Sequence, residues 1–313
     1  MRIIFMGTPE FAVPVMEGLY NTGYDIEFVV TQPDRPKGRG GKLSWSPVKE
    51  RAIELGLKVM QPLRVKDDDF INLLEEIKPD FIVVAAFGQI LPERLLRIPH
   101  YGCINVHASL LPYYRGAAPI QRAVMNGEKK TGVTIMLMDK GLDTGDMLAK
   151  EEVEIALNDT FGLLHDSLAQ VGVESLLKTL PLWIEGKVEP VSQVGMKSSY
   201  AYPLKREDEL ICWDSTARNI CNQIRALNPW PGAFTLFQGN NFKIMEAETY
   251  DMKQTNMPGA VLALIKGKGF VVQTGEGSIL VKMVKPMGKN IMSAQSFING
   301  YHVEVGYVFG AGK

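Results

Sequence analysis

The chain is poor in cysteine: its 313 residues hold three, Cys103, Cys212 and Cys221, widely separated and odd in number. No CxxC or Cys/His pair has metal-ligand spacing, so no metal site is expected and reduced thiols are. Long apolar runs are missing as well. The stretch before Gly7 and Pro9 is only a few residues long, too short for a signal peptide and far short of the ~20 residues a membrane helix needs. It predicts a first strand, in a cytoplasmic protein with no membrane partner. Charge of one sign is not in excess: 34 Lys and Arg stand against 35 Asp and Glu. Any nucleic-acid contact must therefore come from local patches. The chain also lacks a GxGxxG fingerprint, a P-loop Gly-Lys-Ser/Thr and a GxSxG elbow, which disfavours a dinucleotide oxidoreductase, a P-loop nucleotide enzyme and a serine hydrolase.

What is present is ordinary globular material, 46% apolar and 22% charged, in a chain long enough for two domains. Short β-rich runs at Ile3–Met6, Glu27–Thr31, Lys58–Gln61, Phe81–Ala86, Cys103–His107 and Val133–Met138 alternate with helical patterns at Phe11–Tyr20, Pro47–Leu55, Asp68–Ile77 and Ala118–Met125. Such alternation predicts an α/β fold with a Rossmann-like, mainly parallel sheet, and ligands beyond the carboxyl ends of its strands. A long amphipathic helix at Phe161–Ile184 follows. Pro190–Pro203 then loses periodicity, as an interdomain linker does. Beyond a helix at Thr216–Leu227, short strands at Ala233–Phe237, Phe242–Thr249, Ala260–Ile265, Phe270–Thr274 and Ser278–Val284 are punctuated by glycines, predicting an OB-like β-barrel. The expected domains are 1–189 and 206–313, joined by a linker at 190–205. No interface stripe stands out, so a monomer is expected.

The densest chemistry lies in Gly102–Pro112. Asn105 and His107 interrupt an apolar strand at a two-residue interval, which puts both side chains on one face. A buried polar group without a partner costs ~1–3 kcal/mol, so such a pair needs a reason. One reading is structural, with both residues satisfying the following loop. The other is catalytic, and the glycine-punctuated loop Met138–Met147 supports it. If neighbouring parallel strands end on one edge, its carboxylates face the crevice of His107. Asp143 is the candidate there, with Asp139 and Asp146 as turn or capping residues. Asn, His and Asp together suit attack by an amine on an acyl carbon. The amide and a protonated imidazole donate to the developing oxyanion, worth ~2.7–4 kcal/mol per donor. The carboxylate orients the imidazole and relays the amine proton. Ser109 lies two residues from His107 but opens a Leu-Leu-Pro segment, which disfavours a covalent mechanism.

Asn105-Val106-His107, Ser109-Leu110-Leu111-Pro112 and Gly141-Leu142-Asp143-Thr144-Gly145 resemble the folate-dependent formyltransferase family. The family's catalytic Asn, His and Asp fall on Asn105, His107 and Asp143. Arg115–Gln121, Thr31–Pro36 and Ala294-Gln295 are similar to the branch acting on methionyl-tRNA, and the resemblance runs essentially end to end. It implies 10-formyltetrahydrofolate as formyl donor and the α-amino group of initiator methionyl-tRNA as acceptor, giving formylmethionyl-tRNA for translation initiation. It also implies folate contacts at Phe87, Gly88, Gln89, Ile90 and Leu91, and at Ser109, Leu110, Leu111 and Pro112. Independently, Val83–Phe87 runs into an irregular loop able to offer backbone groups to a flat heterocycle. The rivals are a formyltransferase acting on an amino sugar or glycinamide nucleotide, and a non-catalytic tRNA-binding protein.

The segment Asp34–Lys42 is basic and glycine-rich, predicting a flexible surface loop whose Arg35, Lys37, Arg39 and Lys42 neutralise phosphates. A solvated basic loop is the plain alternative. In the resembled branch an insertion here reaches the acceptor end of tRNA, which singles out Arg39. Lys266, Lys268, Lys282, Lys285 and Lys289 give the barrel a basic rim suited to a tRNA stem.

Overall fold

Ile3-Ile4-Phe5-Met6 carries no polar residue, and a strand apolar on both faces belongs inside a sheet covered on both sides. The computed structural model, which describes residues 1–37, 42–252 and 257–310, places it there. The elements run β1 (Arg2–Gly7), α1 (Ala12–Asn21), β2 (Asp25–Val30), a short hairpin of β3 (Arg35–Lys37) and β4 (Lys42–Ser44), α2 (Pro47–Glu54), β5 (Val59–Met60) and α3 (Asp68–Ile77). They continue with β6 (Phe81–Ala85), α4 (Glu93–Leu96), β7 (Cys103–His107), α5 (Pro119–Met125), β8 (Lys130–Leu137), β9 (Met147–Glu154) and α6 (Phe161–Ile184). Local chemistry sets the boundaries. Ser46 caps α2 by accepting from the Lys49 N–H, and Pro47 begins the helix where its missing N–H costs nothing.

Among the described residues the sheet order is β5-β2-β1-β6-β7-β8-β9. The first five strands are parallel, and β8 and β9 are antiparallel to their neighbours. This corrects the strand-end argument used for Asp143. Ile104 pairs with Leu137 and His107 with Thr134, so β8 ends at the start of β7, not beside His107. The pattern of side chains encodes a strand but not its direction. The missed strand β9 carries Lys150, Glu151, Glu152 and Glu154, charges that protect a sheet edge and read as loop.

By internal packing the chain forms two units. One comprises Met1–Pro119, Lys130–Glu154 and His165–Ala201; the other comprises Ile120–Lys129, Ile155–Leu164 and Tyr202–Lys313. The second unit contains α7 (Arg206–Glu209), α8 (Ala217–Ala226), β10 (Phe234–Phe237), β11 (Asn240–Tyr250), β12 (Val261–Ile265), β13 (Gly269–Gln273), β14 (Ser278–Pro286), β15 (Met292–Ser293) and α9 (Ala294–Tyr301). Its antiparallel sheet has the order β10-β11-β14-β13-β12, with β15 on β14. The first hairpin turns on Gln238-Gly239, and both have positive φ, as a two-residue turn of this kind requires.

The C-terminal tail bridges the two edges of this sheet. Gly306 and Phe309 donate to Val261 and Gly259 on one edge, Val261 donates back to Tyr307, and Gly310 donates to Leu236 on the other. The Phe309 ring lies inside, 5.4 Å from Phe242 and 5.5 Å from Phe270. Helix α9, not anticipated, adds the fully buried Phe297 to the same core. Among the described residues no helix is long and apolar enough to cross a membrane.

Two outcomes follow from this unit. Phe309→Ala should destabilise it by about 3–5 kcal/mol, the usual loss for a buried phenylalanine, and lower the urea midpoint; an unchanged midpoint would show the tail is dispensable. Arg122 grips Asp208 through two hydrogen bonds of 2.8 and 2.7 Å, which hold its carboxyl below the usual range. A lowered folded value means this stability is full above the unfolded pKa of about 3.9 and is lost as pH falls through the folded one. Asp208→Asn should therefore lower stability at neutral pH and flatten its decline in acid, as measured by denaturation between pH 2 and 7.

Candidate active site

Strand β7 alternates its side chains between two environments. Val106 faces α6, close enough that a Cβ on Gly172 of that helix would lie 2.8 Å from it. Asn105 and His107 point to the opposite face and are 8% and 6% exposed. The Asn105 amide has no hydrogen-bond partner among the described residues. Nor is it sealed: among the described residues the fully enclosed unpartnered side-chain atoms are Ser175 Oγ and Gln273 Oε1. A buried amide left open in this way is an unused donor.

His107 is held at one nitrogen and faces a carboxylate with the other. Nε2 lies 3.2 Å from the Tyr114 carbonyl, which only accepts, so Nε2 carries a proton. Nδ1 faces Asp143 Oδ2 at 3.7 Å, too far for a direct hydrogen bond. Asp143 reaches this position because the segment 138–146 folds back from the far end of β8. Three residues of strand, about 10 Å, separate Leu137 from Thr134 opposite His107. The fold-back is tight, since a Cβ on Gly145 would meet the Leu137 carbonyl at 2.0 Å. Asp143 has φ +52°, a left-handed conformation costing on the order of 1–3 kcal/mol away from glycine. Its Oδ2 accepts from the Gly116 N–H at 2.8 Å. Asp139 shapes the turn instead, accepting from Gly141 N–H and the Thr144 hydroxyl.

The remaining expected residues divide. Strands β6 and β7 are parallel with Val84 beside Asn105, so the loop after β6 leaves the sheet at the His107 edge. There Ala86 (φ +44°) and Gly88 (φ +86°) turn the backbone. Phe87 and Leu91 are core residues, Gln89 ties the loop to Leu63 and Val65, and Ile90 is 83% exposed. The Phe87 carbonyl accepts from Thr8 and Gln32. Ser109 is buried and donates to the Tyr113 carbonyl, which leaves it no nucleophilic role. Leu111 and Pro112 are buried and Leu110 is half-buried. Burial pushes the Cys103 thiol well up, so it stays protonated and inert.

Arg35 and Lys37 lie on β3 and Lys42 on β4, paired through Lys37 opposite Lys42. Arg39 lies outside the described residues. The hairpin root is stiff: Lys49 donates to Asp34 and Gln61 at 2.6 and 2.7 Å, and Gln61 donates to Asp34 and to the Gln32 carbonyl. Hydrogen bonding from Lys49 and Gln61 holds the Asp34 carboxyl below its ordinary range.

Three residues here carry no signal in the sequence pattern. Thr134 donates to the Ser109 carbonyl and accepts from Leu111 N–H. Arg115 and Gln193, both more than nine-tenths buried, pair at 2.7 Å.

A formyl transferase family model matches residues 1–180, and the model of the formyl transferase C-terminal domain matches 203–302. The chain is 51% identical to methionyl-tRNA formyltransferase of Pelotomaculum thermopropionicum over 99% of both chains. It is 49% identical to that of Bacillus subtilis over 99% of this chain and 98% of the other. Among solved structures, HypX from Aquifex aeolicus in complex with tetrahydrofolic acid is similar in fold (TM-score 0.65, 17% identity), covering 97% of this chain and 48% of that one. The Helicobacter canadensis N-formyltransferase complexed with folinic acid and dTDP-3-aminofucose gives a TM-score of 0.65 at 21% identity, over 89% of this chain and 98% of that one. Sequence and fold agree, and the chain belongs to the methionyl-tRNA formyltransferase family.

Proposed function

We propose that this protein transfers the formyl group of 10-formyltetrahydrofolate to the α-amino group of initiator methionyl-tRNA. The observation that carries the reading is the open, buried Asn105 amide beside His107, with Asp143 poised 3.7 Å from the imidazole. The donor supplies an activated formyl carbon. The amine nitrogen bonds to that carbon, the bond to the folate nitrogen breaks, and one proton passes from the amine to the departing nitrogen. Asn105 donates to the formyl oxygen as negative charge grows on it, from a site already desolvated, where such a donor acts most strongly. Tyr114 occupies Nε2 of His107, so Nδ1 is the nitrogen that faces both substrate and Asp143. With its carboxylate 3.7 Å from Nδ1, Asp143 stands beside the reacting amine and takes up its proton on the way to the folate nitrogen.

The loop after β6 suits the folate heterocycle, through the turned backbone at Ala86 and Gly88 and the exposed Ile90. The contacts assigned to Phe87, Gln89, Leu91 and the 109–112 segment are then made mainly by backbone, because those side chains are buried or engaged. The basic segment that includes β3 and β4 takes the acceptor end of the tRNA, through Arg39 supported by Arg35, Lys37 and Lys42. The domains assigned to this work are 1–189 for chemistry and 206–313 for the tRNA stem, joined by 190–205. The enzyme acts as a cytoplasmic monomer.

Transfer of labelled formyl to charged initiator tRNA tests the reading. Asn105→Ala should lower kcat by about 10²–10³, and His107→Ala by about 10²–10⁴, with little change in the KM for tRNA. Wild-type activity on amino sugars but not on tRNA would overturn the acceptor assignment. Arg39→Ala should instead raise the KM for tRNA, leave kcat near wild type, and reduce the salt slope of tRNA binding by about 1. An unchanged KM and salt slope would remove the hairpin from the tRNA site.

A further inference from the structure

The segment 191–201, which the sequence presents as linker, lies against both loops that carry the catalytic groups. Met147, at the root of the Asp143 loop, exchanges two backbone hydrogen bonds of 2.9 Å with Val191. Gln193, 3% exposed, donates from Nε2 to the carbonyls of Asp143 (3.1 Å) and Gly145 (2.7 Å). Its Oε1 accepts from Arg115 Nε and Nη2 at 3.2 and 2.7 Å. Further on, Ser199 accepts from the N–H groups of Tyr114 and Arg115 through its hydroxyl and carbonyl, and Ala201 pairs with Arg115 and Ala118. The turn is seated closely there, since a Cβ on Gly116 would lie 2.8 Å from the Ala201 carbonyl.

These bonds close a circuit. Gln193 holds the Asp143 backbone, Asp143 accepts from Gly116, and Arg115, next in chain, returns to Gln193. The same turn offers the Tyr114 carbonyl that fixes His107. Asp143 is left-handed and so does not hold its conformation by local preference. Among the described residues, Gln193 is the one side chain that bonds both to its backbone and to the arginine beside its carboxylate partner.

We propose that Gln193 is a positioning residue for the reaction, setting Asp143 at its working distance from His107 through the 191–201 strap. The proposal rests on the formyl-transfer reading above. It predicts that loosening the strap displaces the proton-handling groups while leaving both substrates bound, and a displacement of about 1 Å costs on the order of 10²-fold in rate.

The test is steady-state kinetics on Gln193→Leu and Gln193→Glu, with His107→Ala alongside and thermal melting as the fold control. Gln193→Leu should lower kcat on the order of 10²-fold, with KM for folate and for tRNA near wild type. Gln193→Glu keeps an oxygen for Arg115 but loses the N–H that holds Asp143 and Gly145. It should lose kcat comparably, and it decides the matter if Gln193→Leu does not fold. A folded Gln193→Glu with wild-type kcat, or a loss confined to KM, would overturn the proposal. In that case an inactive His107→Ala leaves the formyl-transfer reading standing, whereas a fully active His107→Ala would overturn both.

Discussion

An amide buried in a central strand with no protein partner is unfavourable by about 1–3 kcal/mol, and a core of this quality has apolar residues to fill the position. Asn105 occupies it nonetheless, one residue either side of fully apolar neighbours. The site is arranged around that unfilled donor. His107 sits two residues on, on the same face, with one nitrogen committed to the Tyr114 carbonyl and the other turned toward a carboxylate. On the formyl-transfer reading proposed above, the missing bond is supplied from outside when a substrate oxygen arrives. Ground-state stability is thereby exchanged for a preformed donor, which needs no reorganisation during reaction.

Topology then explains why the carboxylate is delivered from a distance. Strand β8 runs against β7, so no loop following it emerges at the His107 edge. Asp143 gets there by a return loop that needs glycine at 145 and a left-handed backbone at 143 itself. A loop under such constraints holds one conformation only when its carbonyls are satisfied from elsewhere. Gln193 does so from fifty residues further along the chain. The two proposed catalytic groups thus depend on different structures: His107 on sheet register, Asp143 on hydrogen bonds to a strap.

That difference also decides what could be read from sequence. Cys103–His107 is legible because a two-residue period, apolar except at Asn105 and His107, specifies both the strand and its faces. Helices at Asp68–Ile77 and Phe161–Ile184 are legible because they bury a periodic stripe. The direction of β8 is not encoded in that pattern, and β9 hides behind its edge charges. The strap 191–201 is invisible for a deeper reason. It buries no regular face, and its order comes from hydrogen bonds to residues up to eighty-five positions away. Periodicity records burial, not polar pairing, so Ser199 and Gln193, the partner of Arg115, leave no trace in it.

The same division of labour recurs at the basic hairpin. Between its strands the sequence supplies glycines and an arginine, a composition suited to a phosphate backbone whose contacts are mainly electrostatic. Its root is the reverse, with Lys49, Asp34 and Gln61 joined by short bonds in a partly buried network. Lys49 is thereby withdrawn from phosphate binding: its charge serves Asp34, and it approaches the Trp45 ring at 5.0 Å. Side-chain amides organise both places, the half-buried Gln61 at the hairpin root and the buried Gln193 at the Asp143 loop. An amide suits that task because it donates and accepts at once without carrying charge into the site.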